Sequence, residues 1–97
     1  MFLQASLKVL PNSFKSREIN YKLVDEALVI IKASNLTYEI GCSETTLQGE
    51  RDEIMQLIKE IQDYYFNNNI EFSFFINFEY NFDKFYIEEK KINISKI

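Results

Sequence analysis

Residues 38–55 read YEIGCSETTLQGERDEIM. Tyr38-Glu39-Ile40 and Thr45-Thr46-Leu47-Gln48 are two short extended runs, separated by Gly41-Cys42-Ser43-Glu44. The second run passes into an acidic helix start, Asp52-Glu53, with almost no loop. Both glycines of the chain, Gly41 and Gly49, lie inside this stretch. Alternation on each side of a short connection predicts a β-hairpin, with strands over 36–42 and 44–50. Leu36, Tyr38 and Ile40 share one face of the first strand. Thr45, Leu47 and Gly49 share one face of the second, and Thr46 and Gln48 the other. Gly41 is expected to allow the tight turn and Gly49 the abrupt change from strand to helix.

Working outward, residues 51–66 carry an apolar stripe at helical spacing, Ile54, Leu57, Ile58, Ile61 and Tyr65. Asn67-Asn68-Asn69 ends that helix. Residues 70–79, IEFSFFINFE, alternate again: Phe72, Phe74, Ile76 and Phe78 point one way, and Ser73, Phe75 and Asn77 the other. Upstream, residues 17–33 form a helix through Ile19, Leu23, Val24, Ala27, Leu28 and Ile31. Ser16 is its expected N-cap, and Asn35 is placed to close it in the left-handed conformation. Residues 2–10 alternate, with Leu3, Ala5, Leu7 and Val9 on one face and Phe2, Gln4, Ser6 and Lys8 on the other. Pro11-Asn12-Ser13 is expected to end that strand, because proline cannot continue a ladder. The tail, DKFYIEEKKINISKI, fits a last amphipathic helix or an extended arm.

The order β-α-β-β-α-β is the split βαβ plan of a ferredoxin-like α+β domain. Right-handed crossovers put both helices on one face of an antiparallel sheet of order 4-1-3-2. Ninety-seven residues suit one domain, 1–97, with one core. The fourth strand then lies at an edge, long and apolar, and needs a partner copy or the tail to cover it.

Composition narrows the function. A net charge of −4 with scattered lysines and arginines argues against nucleic-acid binding, which needs a positive surface. The open sheet face offers mainly Phe2 and Phe75 for stacking, and the basic signature of RNA-binding domains of this plan is missing. No apolar run is long enough to span a membrane, and the N-terminus lacks the basic and apolar regions of a signal peptide. One cysteine and no export signal lead to the expectation of a cytoplasmic protein without disulfides. There is no histidine, and one cysteine cannot build a zinc site, so no metal and no cofactor are expected. Cys42 has no activating neighbour in the sequence and reads as a small turn residue. No glycine-rich phosphate loop is present. Glu39, Glu44 and Glu50 need not converge in alternating strands, so no catalytic carboxylate pair is expected. The chain is expected not to be an enzyme.

Residues 36–60 as a whole resemble the thiamine-binding protein family of small ferredoxin-like domains, related to the YkoF proteins. The resemblance is carried by Leu36-Thr37-Tyr38-Glu39, then Glu44-Thr45-Thr46-Leu47-Gln48-Gly49-Glu50, then Asp52-Glu53-Ile54-Met55. Ala5-Ser6-Leu7-Lys8-Val9-Leu10-Pro11 is similar to the family's opening strand. Asp83-Lys84 and Ile87-Glu88-Glu89-Lys90 are similar to its short C-terminal helix. Each motif is short, but their order and spacing cover nearly the whole chain. Gln48 stands where the family usually has Glu, and Ser43-Glu44 replaces a turn that commonly contains glycine. The resemblance implies non-catalytic binding of thiamine or its hydroxymethylpyrimidine part, by a homodimer or homotetramer.

Five residues are candidates for ligand contact. The Thr45 hydroxyl lies in an otherwise apolar layer and needs a partner, either a ligand ring or a neighbouring carbonyl. Ser43, beside Cys42, and Tyr38 are placed to form the mouth. Ser6 and Asn77 are neighbours on the opposite face if the strand order holds, and serve a ligand on the open side or at a subunit interface. Small side chains at the hairpin leave room for a pocket, or simply make a tip that needs no bulk. The alternative reading is an oligomeric protein-interaction module with no small ligand.

Overall fold

A computed structural model describes residues 2–12 and 16–80. The elements run β1 (Phe2–Pro11), α1 (Arg17–Ala33), β2 (Thr37–Ile40), β3 (Thr45–Glu50), α2 (Arg51–Asn67) and β4 (Phe72–Tyr80). They form a four-stranded antiparallel sheet of order β2-β3-β1-β4. This is the ferredoxin-like α+β plan, with the expected strand order. The tail expected as a helix or arm lies outside the described residues.

Register fixes which side chains meet. On the helix-covered side, Ile40, Thr45, Leu7 and Ile76 form one row across the sheet, and Tyr38, Leu47, Ala5 and Phe78 the next. Leu3, Ala5 and Leu47 are fully buried there, beneath Ile54, Leu57, Ile58, Ile61 and Tyr65 of α2 and Ala27 and Ile31 of α1. Burying each large aliphatic chain contributes about 1.5–3 kcal/mol. The predicted stripe of α2 is the observed buried one, residue for residue.

Local chemistry sets the helix ends. Ser16 caps α1 as expected, accepting from the Ile19 N–H at 3.1 Å. Asn35 does not close α1: Ser34 does, with its N–H and its hydroxyl both donating to the Ile31 carbonyl. The left-handed residue is instead Asn69, with φ 56°. It closes α2 in a Schellman motif, Ile70 N–H donating to Tyr65 O at 3.0 Å and Asn69 N–H to Phe66 O at 3.2 Å.

Pro11 belongs to β1 rather than ending it, and pairs with Phe72. Asn12 N–H points to β4, donating to Glu71 O at 2.7 Å. Amide direction alternates along a strand, so the position without an N–H faces the other way. On that side the pairing with β3 has already stopped at Leu7–Thr45, and no ladder bond is lost.

The glycines differ in purpose. Gly41 N–H donates to Glu44 O at 2.9 Å and closes the hairpin, and a Cβ at Gly41 would crowd that same oxygen. Gly49 has no positive φ; a Cβ there would run into Leu36 Cδ2. It serves close packing under the buried Leu36 rather than the turn into α2.

α1 and α2 are joined by a hydrogen bond from the buried Tyr65 hydroxyl to the Leu23 carbonyl. Burial pushes the Tyr65 phenol far above its ordinary value of 10.0, and the charges of Tyr64 and Glu26 add to the shift. Its ring also packs on Phe72, with centroids 4.9 Å apart.

Two outcomes follow from these contacts. Gly49→Ala is expected to cost about 1–3 kcal/mol in urea unfolding, and the double change with Leu36→Ala to cost less than the sum of the two singles. The Tyr65 proton is held more tightly in the folded chain than in the unfolded one. Its contribution is therefore complete below about pH 10 and fades as pH rises toward the folded value. Denaturation curves between neutral and alkaline pH should steepen in their decline above about pH 10, and Tyr65→Phe should lose that part of the decline.

Candidate functional site

The β2–β3 connection, Gly41 to Glu44, lies beside the continuing end of β1 and faces α1. Under it lies a pocket of about 390 Å³. Leu7 and Val9 of β1, Ile40 of β2 and Val24, Ala27, Leu28 and Ile31 of α1 give it apolar walls. Among the described lining residues the polar side chains come from the hairpin, Ser43, Glu44 and Thr45 with Cys42, and from Tyr21 of α1. This is the constitution of a small-molecule site, an apolar slot with a few polar groups at its edge.

Thr45 has the most enclosed polar side chain of the pocket, only 7% exposed. Its register opposite Leu7 and Ile40 forces it inward, because it shares a pleat with Leu47. Ser43 and Cys42 sit exposed on the connection above it. Among the described lining residues Glu44 is the acidic one.

The fold brings together two of the five candidates and separates the others. Thr45 and Ser43 line the pocket. Tyr38 is one row further along the sheet, opposite Leu47 and half exposed, and is not among the lining residues. Ser6 and Asn77 are direct cross-strand partners, as the strand order requires, but on the face without helices. That face carries two polar rows, Thr37-Gln48-Gln4-Glu79 and Glu39-Thr46-Ser6-Asn77. Gln4 and Gln48 are only 5% and 4% exposed, and Gln4 Oε1 has no hydrogen-bond partner among the described residues. Glu39 and Glu50 belong to this open face and Glu44 to the pocket, so the three carboxylates do not converge. Among the described residues no group of three His, Cys, Asp or Glu side chains is disposed to hold a metal ion.

The α1 wall was not anticipated. Tyr21 stands at the mouth, fixed by Arg17 one turn earlier: Arg17 Nε donates to the Tyr21 hydroxyl at 3.1 Å, and the guanidinium lies 5.6 Å from the ring centroid. The Arg17–Tyr21 spacing of four was visible in the sequence. Its position over the hairpin was not, because that depends on how α1 crosses the sheet.

Against this geometry the comparisons with known proteins are direct. Residues 5–94 match the model of the family described as thiamine-binding protein. The chain belongs to the thiamine-binding protein family. A UPF0045 protein of Clostridium perfringens is 33% identical over 58 residues, a match spanning 60% of this chain and 59% of that relative. The match thus takes in less than two thirds of the curated relative's length. Among solved structures, a domain of unknown function from Bacillus cereus is 28% identical with a TM-score of 0.73, over 84% of this chain and 77% of the other. A Thermotoga maritima protein proposed to act in thiamine biosynthesis or salvage is 25% identical with a TM-score of 0.78, over 94% and 99%. Both share the ferredoxin-like arrangement described above. No helix among the described residues is long and apolar enough to cross a membrane.

Proposed function

We propose that this member of the thiamine-binding family binds thiamine or its hydroxymethylpyrimidine moiety in the hairpin pocket, without catalysis, as a carrier or sensor. The observation that carries the reading is the 390 Å³ apolar slot with the enclosed Thr45 hydroxyl at one wall and the Glu44 carboxylate at its mouth. A flat aminopyrimidine fills an apolar slot and needs a hydroxyl or carbonyl at its rim. A cationic thiazolium is better placed beside Glu44 than deeper among Val24, Leu28 and Ile31, where its charge would be desolvated. Ser43 stands next to both groups. Ser6, Asn77 and Tyr38 lie outside this pocket and enter the reading only through a subunit interface. The proposed setting is the cytoplasm, without a metal or other cofactor.

Self-association as a homodimer or homotetramer forms part of the proposal. Among the described residues β4 pairs only with β1, and Phe75 and Tyr80 are 56% and 61% exposed. An apolar edge of this kind is protected when it meets another chain. The same observation supports the alternative function, an oligomeric interaction module with no small ligand. Light scattering across a dilution series tests it. A mass of 11.6 kDa at every concentration would remove both the oligomer and the alternative.

Thermal melting separates the two functions. Ligand at a hundredfold excess over Kd should add about 2.7 kcal/mol to the folded state, which raises Tm by roughly ten degrees or more for a domain of this size. Thiamine and hydroxymethylpyrimidine are expected to do this. Thr45→Val should remove most of the shift while leaving the melting point of the free protein within a few degrees. Thiamine pyrophosphate is expected to bind less tightly than thiamine, since the chain has no glycine-rich phosphate cradle. Tighter binding of the pyrophosphate in titration calorimetry would overturn that order, and no shift with any of the three would overturn the ligand reading itself.

A further inference from the structure

The outer surface of the helix layer holds a second concavity, an open groove of about 810 Å³ between the C-terminal half of α1 and the N-terminal half of α2. Its two walls are chemically different. Val29, Ile30 and Ala33 make the α1 wall apolar, and Leu57 lies on the opposite side at the base. Val29 is 58% exposed. The α2 wall carries Asp52, Glu53 and Glu60, and no lysine or arginine is among the described lining residues. Asp52 lies 3.3 Å from the Arg51 guanidinium, and Gln56 Nε2 donates to Glu60 Oε1 at 3.5 Å. The C-terminal end of α1, the negative end of its dipole, opens into the same groove at Ser34.

We infer that this groove docks a basic amphipathic helix of a partner protein. Apolar stripe and acidic stripe run side by side, so the complementary surface has an apolar stripe beside a basic one. Val29 and Ala33 on one wall, and Gln56 and Glu60 on the other, are each one turn apart. They present ridges at helical pitch, into which the side chains of a third helix fit. Burial of Val29 and Ala33 supplies the apolar contribution, and Glu53 and Glu60 supply orientation and rate of encounter. The groove shares none of the described residues with the hairpin pocket, so docking there leaves that pocket's described lining uncovered.

The test uses a model peptide of leucine and lysine arranged at helical spacing, and the same peptide with glutamate in place of lysine. The lysine peptide should bind saturably and the glutamate peptide should not. Backbone amide shifts should concentrate at Val29, Ala33, Gln56 and Glu60. The double variant Glu53→Lys/Glu60→Lys should weaken binding roughly tenfold. The charge-matched pair Glu18→Lys/Asp25→Lys, elsewhere on α1, should change it less than about twofold. Shifts spread over the acidic surface, equal losses in both variants, or no saturable binding would each overturn the proposal. So would sedimentation showing that a second copy of the chain fills the groove, as a concentration-dependent association lost in Glu53→Lys/Glu60→Lys. The shift map is read on the unaltered protein, so it decides the matter even if a variant is unstable.

Discussion

The double pairing of β1 is the constraint on which this molecule depends. Its helix-facing residues, Leu3, Ala5 and Leu7, are bonded through the backbone to β3 on one side and β4 on the other. They are covered from above by both helices. Among the described residues β2 pairs only with β3, and β4 only with β1. Shape follows from residue size along this floor. Ala5 and Gly49 are small where Leu36 and Leu47 need space, and Ala27 is small where α1 passes over the sheet. α2 brings the bulk, ending in Tyr65, whose ring and hydroxyl tie it to β4 and α1 at once.

That arrangement also positions the pocket. The β2–β3 hairpin meets α1 over β1, and the helix-facing sheet residues at that point are Thr45, Leu7 and Val9. α1 supplies Ala27 at this point rather than a larger residue. Space remains, and the hairpin closes it with residues that are small or polar. The enclosed hydroxyl of Thr45 is then a consequence of strand register and not of a special loop. The acidic groove on the helix layer has an independent origin, in the polar residues that α2 keeps on its outer face.

What could be read from the sequence was whatever repeats with a short period. The alternation of β1 and β4 and the stripe of α2 set the strand order, and the strand order put Ser6 beside Asn77. Positions decided by one distant contact were not readable. Pro11 looks like a strand end until the early stop of β3 is known. Asn35 and Asn69 are equally good candidates for a left-handed residue, and the difference lies in Ser34, whose own hydroxyl closes α1. Gly49 looks like a turn residue because Leu36, the side chain it accommodates, is thirteen positions away. Half of the candidate site was legible for the same reason. Ser43 and Thr45 come from one hairpin, whereas the α1 wall with Tyr21 needs the crossing of helix over sheet.

The pairing of Leu3 with Tyr80 has a consequence for how the chain is made. The ribosome releases β1 first and β4 last of the six elements, yet these two are neighbours in the finished sheet. Until the final strand emerges, β1 can be held only by β3, and one flank of the central strand stays open. Closing that long loop late is slow compared with local hairpin and helix formation. Between the emergence of β3 and that of β4, Leu3, Ala5 and Leu7 can be paired on one side only. Truncation between α2 and β4 would leave that flank of β1 open for good.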